Sequence, residues 1–209
     1  MLHRRLFAGC LLFILAFSLH ATAQVATTVA NPKTAYTPIT GEERFKWAVK
    51  STVGMKSLAL SGVLSAGWGT IFNKPPEYGT NFDGFAKRYG MRLTGVSTGN
   101  AIEASLGMVW GEDPRYFRVP EKKFWDRVSN AGDLTFRARR ADGKYYFAYA
   151  RVAGTAGNNF LSNIWRVDSE NSFEDAVSRT AVGFAGKFAG NLFDEFWPDV
   201  WKKLKGVKF

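Results

Sequence analysis

The chain predicts a mainly α fold: an antiparallel bundle of about four to five helices packed through small residues. Three observations carry that class. Apolar residues recur at helical spacing over long stretches, capping signals and prolines bound those stretches, and glycine, alanine and serine repeat every fourth position within them.

The elements follow in order. Residues 1–23 read as a secretory signal peptide, with Arg4 and Arg5, an apolar run over 6–19 and a small-residue cleavage site at Ala21-Thr22-Ala23. A lipidation reading of Phe7-Ala8-Gly9-Cys10 leaves too short an apolar region after Arg5. Residues 24–40, rich in threonine and alanine and without apolar period, predict a flexible leader. A single helical domain over 41–205 follows, with a basic and aromatic tail end at 206–209.

Thr40 with Glu43 fits a capping box, and Phe45, Val49, Thr52, Val53, Lys56, Leu60, Val63 and Leu64 predict one long helix from about Glu42 to Phe72. Pro75-Pro76 ends it. Thr80 with Asp83 predicts the next start, and Phe85, Tyr89, Leu93, Val96, Ile102, Leu106 and Val109 carry that helix to Gly111, paired with the first as a hairpin. Asp113 before Pro114 suits an N-cap with proline at the first helical position. The stretch 134–152 fits either two helices or a short β-hairpin about the turn "ADGK", and the small-residue spacing after Arg151 favours helices. Ser172 with Asp175 opens the last helix, which Pro198 kinks or ends after Trp197.

Small residues line these segments: Ser57, Ser61, Ser65 and Gly69; Gly95 and Gly99; Ala150, Gly154, Asn158 and Ser162; Ala181, Ala185 and Ala189 with Gly186 and Gly190 beside them. A glycine within a helix costs about 1 kcal/mol against alanine, so such stripes imply close backbone approach in return. The uncharged stretch 57–72 is shorter than the roughly 20 residues a membrane span needs. Aromatics nevertheless gather at segment ends, as at membrane interfaces: Trp68, Phe72, Trp110, Tyr145, Tyr146, Trp165, Phe196, Trp197 and Trp201. Together these predict a periplasmic bundle docked on, or partly inserted in, the outer membrane. A small outer-membrane barrel is the further alternative, since the chain ends in Phe209, but Lys203 and Lys205 then face lipid.

The inventory of side chains excludes much chemistry. His3, His20 and Cys10 all lie in the signal peptide, so the exported chain has no histidine and no cysteine. Disulfides, Cys/His zinc sites, thiolate nucleophiles and histidine bases are excluded with them, and no cofactor is expected. Gly95-Val96-Ser97-Thr98-Gly99 matches a nucleophile elbow but has no histidine base. Gly62 and Gly67 have phosphate-loop spacing, but Trp68 and Gly69 stand where lysine and serine or threonine belong.

Glu103, Glu112 and Asp113 are the candidates for a carboxylate-dependent hydrolase of envelope glycans; structural contacts, with an arginine of another helix for Glu103, are the favoured reading. The chain carries 28 Lys and Arg against 18 Asp and Glu. Its basic balance, outside the cytoplasm, points away from nucleic acid and toward anionic lipid, lipopolysaccharide or another envelope protein, with self-association as a further expectation. Trp197, Trp201, Lys202, Lys203, Lys205 and Phe209 are the expected contact residues, as a basic amphipathic end.

"EDPRYFR" (112–118) and "EFWPDVW" (195–201) resemble motifs of an uncharacterised family of exported proteins from Gram-negative bacteria, a likeness running from about Glu42 to Trp201. The resemblance implies export to the envelope and brings no activity, cofactor or catalytic residue.

Overall fold

A computed structural model describes residues 36–206. The signal peptide, leader residues 24–35 and Phe209 lie outside the described residues. Within them the chain is mainly α, with a short hairpin.

Helix α1 (Gly41–Val53) opens with the predicted capping box: Thr40 Oγ1 accepts from Glu43 N–H at 3.2 Å, and Glu43 Oε2 accepts from Thr40 N–H at 2.9 Å. The order starts earlier than the cap. Tyr36, in the expected leader, donates to Asp113, and the Thr37 carbonyl accepts from Arg115, so residues 36–40 belong to the domain.

The long first helix is interrupted. At Gly54 the backbone turns extended (ψ 156), and a β-carbon there would lie 2.3 Å from the Lys50 carbonyl oxygen, a closeness only glycine tolerates. A π-turn (Lys56–Gly62) and helix α2 (Val63–Ile71) follow. In a π-turn each N–H reaches back five residues, so the inward face advances from Ser57 to Gly62, then to Ala66. This slip divides the predicted stripe: Ser57 is buried, Ser65 is exposed and Gly69 is half-buried, while the side chain of Ser61 lies outside the described residues.

Arg88 holds the next turn by donating to the carbonyls of Lys74 (2.8 Å), Pro75 (2.8 Å) and Gly79 (2.7 Å). Helix α3 (Phe82–Trp110) is capped by Asn81, not Thr80, since Asn81 Oδ1 takes the Gly84 N–H at 2.9 Å. It ends at left-handed Gly111. The first segment runs antiparallel to α3, as Arg44 against Gly107, Thr52 against Asn100, and Leu58 against Tyr89 attest.

No helix follows Asp113. Its carboxylate takes the Arg115 N–H as an N-cap would, but its own N–H pairs with the Arg139 carbonyl in an isolated bridge, and Tyr116 and Arg118 reach across to the last helix. Helix α4 (Phe124–Phe136) then leads into strands β1 (Arg137–Arg139) and β2 (Tyr145–Phe147), with Ala138 opposite Tyr146, and into helix α5 (Tyr149–Leu161). About the ADGK turn the hairpin alternative holds and the favoured helices stop short of it: two three-residue strands join α4 to α5.

Helix α6 (Phe173–Gly206) starts at the predicted Ser172–Asp175 box and runs through Pro198 without ending. A helical proline removes the donor to the carbonyl four residues back. Next to that weak point, the Glu195 carbonyl receives Arg118 (2.6 Å) and Arg127 (2.7 Å), which brace the backbone.

Helix α3 packs on α5, and α4 and α5 pack on α6. At the α3–α5 crossing a β-carbon on Gly154 would lie 2.7 Å from the Gly99 carbonyl, and one on Gly95 would meet Asn158 at 3.4 Å, so this predicted small-residue contact is real. The α6 stripe is different. Ala181, Ala185 and Ala189 are exposed, and nothing lies within 4 Å of a β-carbon on Gly186; the inward stripe is Ala176, Gly183, Lys187, Asn191 and Glu195. Gly190 meets the Lys56 side chain, which donates to its carbonyl at 2.9 Å. Gly186→Ala is therefore expected to stabilise by up to about 1 kcal/mol in a urea melt, the helix-propensity gain without a clash.

The distribution of side chains is inverted. The fully buried apolar residues described are six alanines (66, 131, 138, 148, 150 and 176) and Leu134, while Arg44, Arg88, Glu103, Glu112, Asp113, Arg151 and Glu195 are buried. Large apolar side chains such as Phe45, Leu64, Trp68, Ile71, Phe82, Trp125, Phe173 and Trp201 face outward. Among the described residues no helix is long and apolar enough to cross a membrane, and the barrel alternative is overturned by the helices themselves.

Candidate functional site

The three candidate carboxylates do converge. Glu103, Glu112 and Asp113 line one small space with Pro114, Ala138, Ala150 and Arg151, and that space is too small for a water molecule. Each carboxylate is already occupied by protein groups.

Glu103, on α3, faces two other helices. Its Oε1 accepts from Arg151 Nε of α5 and its Oε2 from Lys187 Nζ of α6, both at 2.8 Å. Burial alone would raise its pKa, but the Lys187 and Arg151 charges outweigh burial and hold it below the ordinary value. The remaining Arg151 donors go to the carbonyls of Leu134, Arg137 and Pro114, so the guanidinium ties α4, the hairpin and the 112–119 segment to the core. The expected partner arginine from another helix is thus Arg151.

Glu112 acts as a helix cap from outside the helix. Ala148 at the start of α5 has no capping side chain, and the orphan N–H groups of Tyr149 (3.2 Å) and Ala150 (2.9 Å) donate to the Glu112 carboxylate instead. Arg140 adds an ion pair at 3.2 Å. Asp113 accepts from the Tyr36 hydroxyl at 2.9 Å and from Arg115 Nη2 at 2.7 Å. Burial, then the Asp113 charge, push the Tyr36 hydroxyl pKa up. Beside them Arg139 lies over the rings of Tyr36, Phe117 and Tyr145, 4.9 to 5.0 Å from their centres.

The sequence reading did not identify the second polar centre. Glu195 is fully buried and accepts from Arg127 Nε at 2.8 Å and the Tyr116 hydroxyl at 2.8 Å. Asp199, one turn on, pairs with Arg127 (2.5 Å) and Arg118 (3.2 Å). Hydrogen bonding to Arg127, then to Arg118, lowers the Asp199 pKa. The two motifs that carried the family resemblance therefore touch: Tyr116 and Arg118 of "EDPRYFR" hold Glu195 and Asp199 of "EFWPDVW". Acids spaced four apart on one helix, with arginines in a distant motif, were the available signal.

The C-terminal contact residues form a third feature. Phe193, Trp197 and Trp201 stack along α6 with ring centres 5.0 and 5.9 Å apart, and Lys205 lies 5.3 Å from the Trp201 ring. Lys202, Lys203 and Lys205 are exposed. Ser97 is on the outer face mid-helix, not on a strand-to-helix turn, and 62–69 is helical, so neither the elbow nor the phosphate loop exists. Among the described residues no group of three or more Asp, Glu, His or Cys side chains is placed to hold a metal ion.

Compared with protein families, with curated proteins and with solved structures, the chain matches none.

Proposed function

We propose that the protein is a non-enzymatic component of the bacterial cell envelope, a helical bundle that associates with the outer membrane or its periplasmic face. The observation that carries this reading is the inverted core. Water-facing phenylalanine, tryptophan, leucine and isoleucine over a centre of alanine and ion pairs gives up the burial that stabilises an ordinary soluble bundle. Extended apolar surface of this kind marks contact with lipid or protein. The absence of an apolar span among the described helices fits surface docking better than helix-by-helix crossing.

The geometry favours no hydrolase. Glycan cleavage by a carboxylate pair needs a gap that admits the sugar and a water or nucleophile, whereas Glu103, Glu112 and Asp113 surround a space without room for water and are held by Arg151, Lys187, Arg140, Arg115 and helix N–H groups. The partners proposed are anionic lipid or lipopolysaccharide, another envelope protein, or further copies of this chain.

Cell fractionation tests the reading. The protein is expected in the membrane fraction and to be released by detergent. Recovery wholly in the soluble periplasmic fraction would refute it.

A further inference from the structure

We infer that the last turns of α6 are a docking surface for an anionic phospholipid leaflet. The inference rests on the membrane association proposed above and names its contact and lipid class.

Rotation of the helix is fixed by the body of the protein. Glu195 and Asp199 sit one turn apart on one face of α6 and are held by Arg118 and Arg127, so that face is turned inward. At about 100° per residue, Phe193, Trp197, Val200, Trp201 and Leu204 then fall within an arc of roughly 100° on the opposite side. Trp197, Val200, Trp201 and Leu204 are exposed there. Phe124 and Trp125, exposed at the start of α4, extend the apolar surface, and the tilted Phe124 ring lies 5.2 Å from that of Phe196.

Charge selects the occupant. Lys205 borders one edge of the arc and Lys203 the other, while Lys202 falls nearer the Glu195 face, and residues 200–206 contain no acid. The acids next to them are neutralised by the arginine clamp. An apolar stripe of tryptophan and leucine flanked by lysines fits the boundary between acyl chains and anionic headgroups, with the lysine stems bridging the two. A neutral protein groove would leave the lysines without counter-charge, and a second copy would bring like charge against them.

The test is co-sedimentation of the full exported chain with vesicles of phosphatidylcholine alone and of phosphatidylcholine mixed with phosphatidylglycerol. Wild type is expected to bind the anionic vesicles more strongly, with binding weakened by salt. Replacing Lys203 and Lys205 together by glutamine should lower the partition by roughly thirtyfold. Trp197→Ala with Trp201→Ala should lower it on both vesicle types while the helix spectrum stays unchanged, since these side chains are exposed. If both variants partition like wild type, this surface is not the docking site, even where cells still hold the protein in the membrane fraction. Self-association abolished by the tryptophan variant, with no vesicle binding, would assign the face to a second copy and overturn the inference. A soluble wild type in cells would instead remove the membrane reading itself.

Discussion

Replacing Glu103 by leucine is expected to destabilise the protein by about 3–5 kcal/mol, a fall in Tm of roughly 6–20 °C, the cost of removing one partner from a buried ion pair in a domain of this size. The two cations will not suffer equally. Arg151 has a side chain only 8% exposed and is held among carbonyls, so it stays buried without its carboxylate. Lys187, 29% exposed, has a route to water. Adding Arg151→Leu should recover only part of the loss, because it removes the stranded charge but leaves the carbonyls of Leu134, Arg137 and Pro114 without their donor. Urea melts of the single and double variants read this directly. A loss below about 1 kcal/mol in the single variant would mean that the triad does not hold the helices.

The same residue sets a pH dependence. Its folded pKa lies below the ordinary value, so in mildly acidic solution the unfolded chain binds the extra proton. The stability from Glu103 is thus fully present above the unfolded pKa and is lost as pH falls through the folded one. Glu103→Gln should flatten that acid limb. A catalytic Glu103 would behave in the opposite way, losing turnover on substitution while stability stayed level.

Gly154→Ala is expected to destabilise by about 1–3 kcal/mol although alanine is the better helix former, because overpacking outweighs the gain of about 1 kcal/mol in propensity. The new methyl group would meet the Gly99 carbonyl oxygen at 2.7 Å and the Glu103 backbone nitrogen at 3.1 Å, both of which are main-chain atoms with little freedom to move. The shift also displaces Glu103 from its partners. A stabilised Gly154→Ala protein in a urea melt would show that α3 and α5 do not touch through their backbones.

Local signals were the legible part of this fold. The Thr40 and Ser172 caps, the turn at Pro75-Pro76 and the stop at Gly111 depend on a few neighbouring residues, and their physics is complete in the sequence. Register was not legible. The stripe from Ser57 to Gly69 assumes four-residue steps throughout, and one π-turn changes which side chains point inward without altering composition. Asp113 shows the same limit, since its side chain does what an N-cap does while Tyr116 and Arg118 are drawn away by residues almost eighty positions later.

The polar centre misled in another way. Reading α6 by its small residues put Ala181, Ala185 and Gly186 inside, whereas the inward stripe contains Lys187, Asn191 and Glu195, residue types ordinarily assigned to water. Glu195 becomes recognisable as interior only when Arg127, Tyr116 and Val119 are seen around it. Glu103, Glu112 and Asp113 were legible as candidate carboxylates, but their convergence and their saturation by cations and helix N–H groups required the tertiary structure.

The inverted distribution has a consequence for how the chain travels. No described helix is long and apolar enough to cross a bilayer: the uncharged α2 is too short, and the longer helices α3 and α6 carry charged faces. Apolar character on the scale of a surface arises only after those charged faces have closed on one another, leaving Phe45, Trp68, Phe82 and Trp201 outside. Greasiness here is a property of the finished assembly and not of any stretch of sequence. Folding thus sets side chains far apart in sequence on one exterior, and no single segment has to carry the apolar surface.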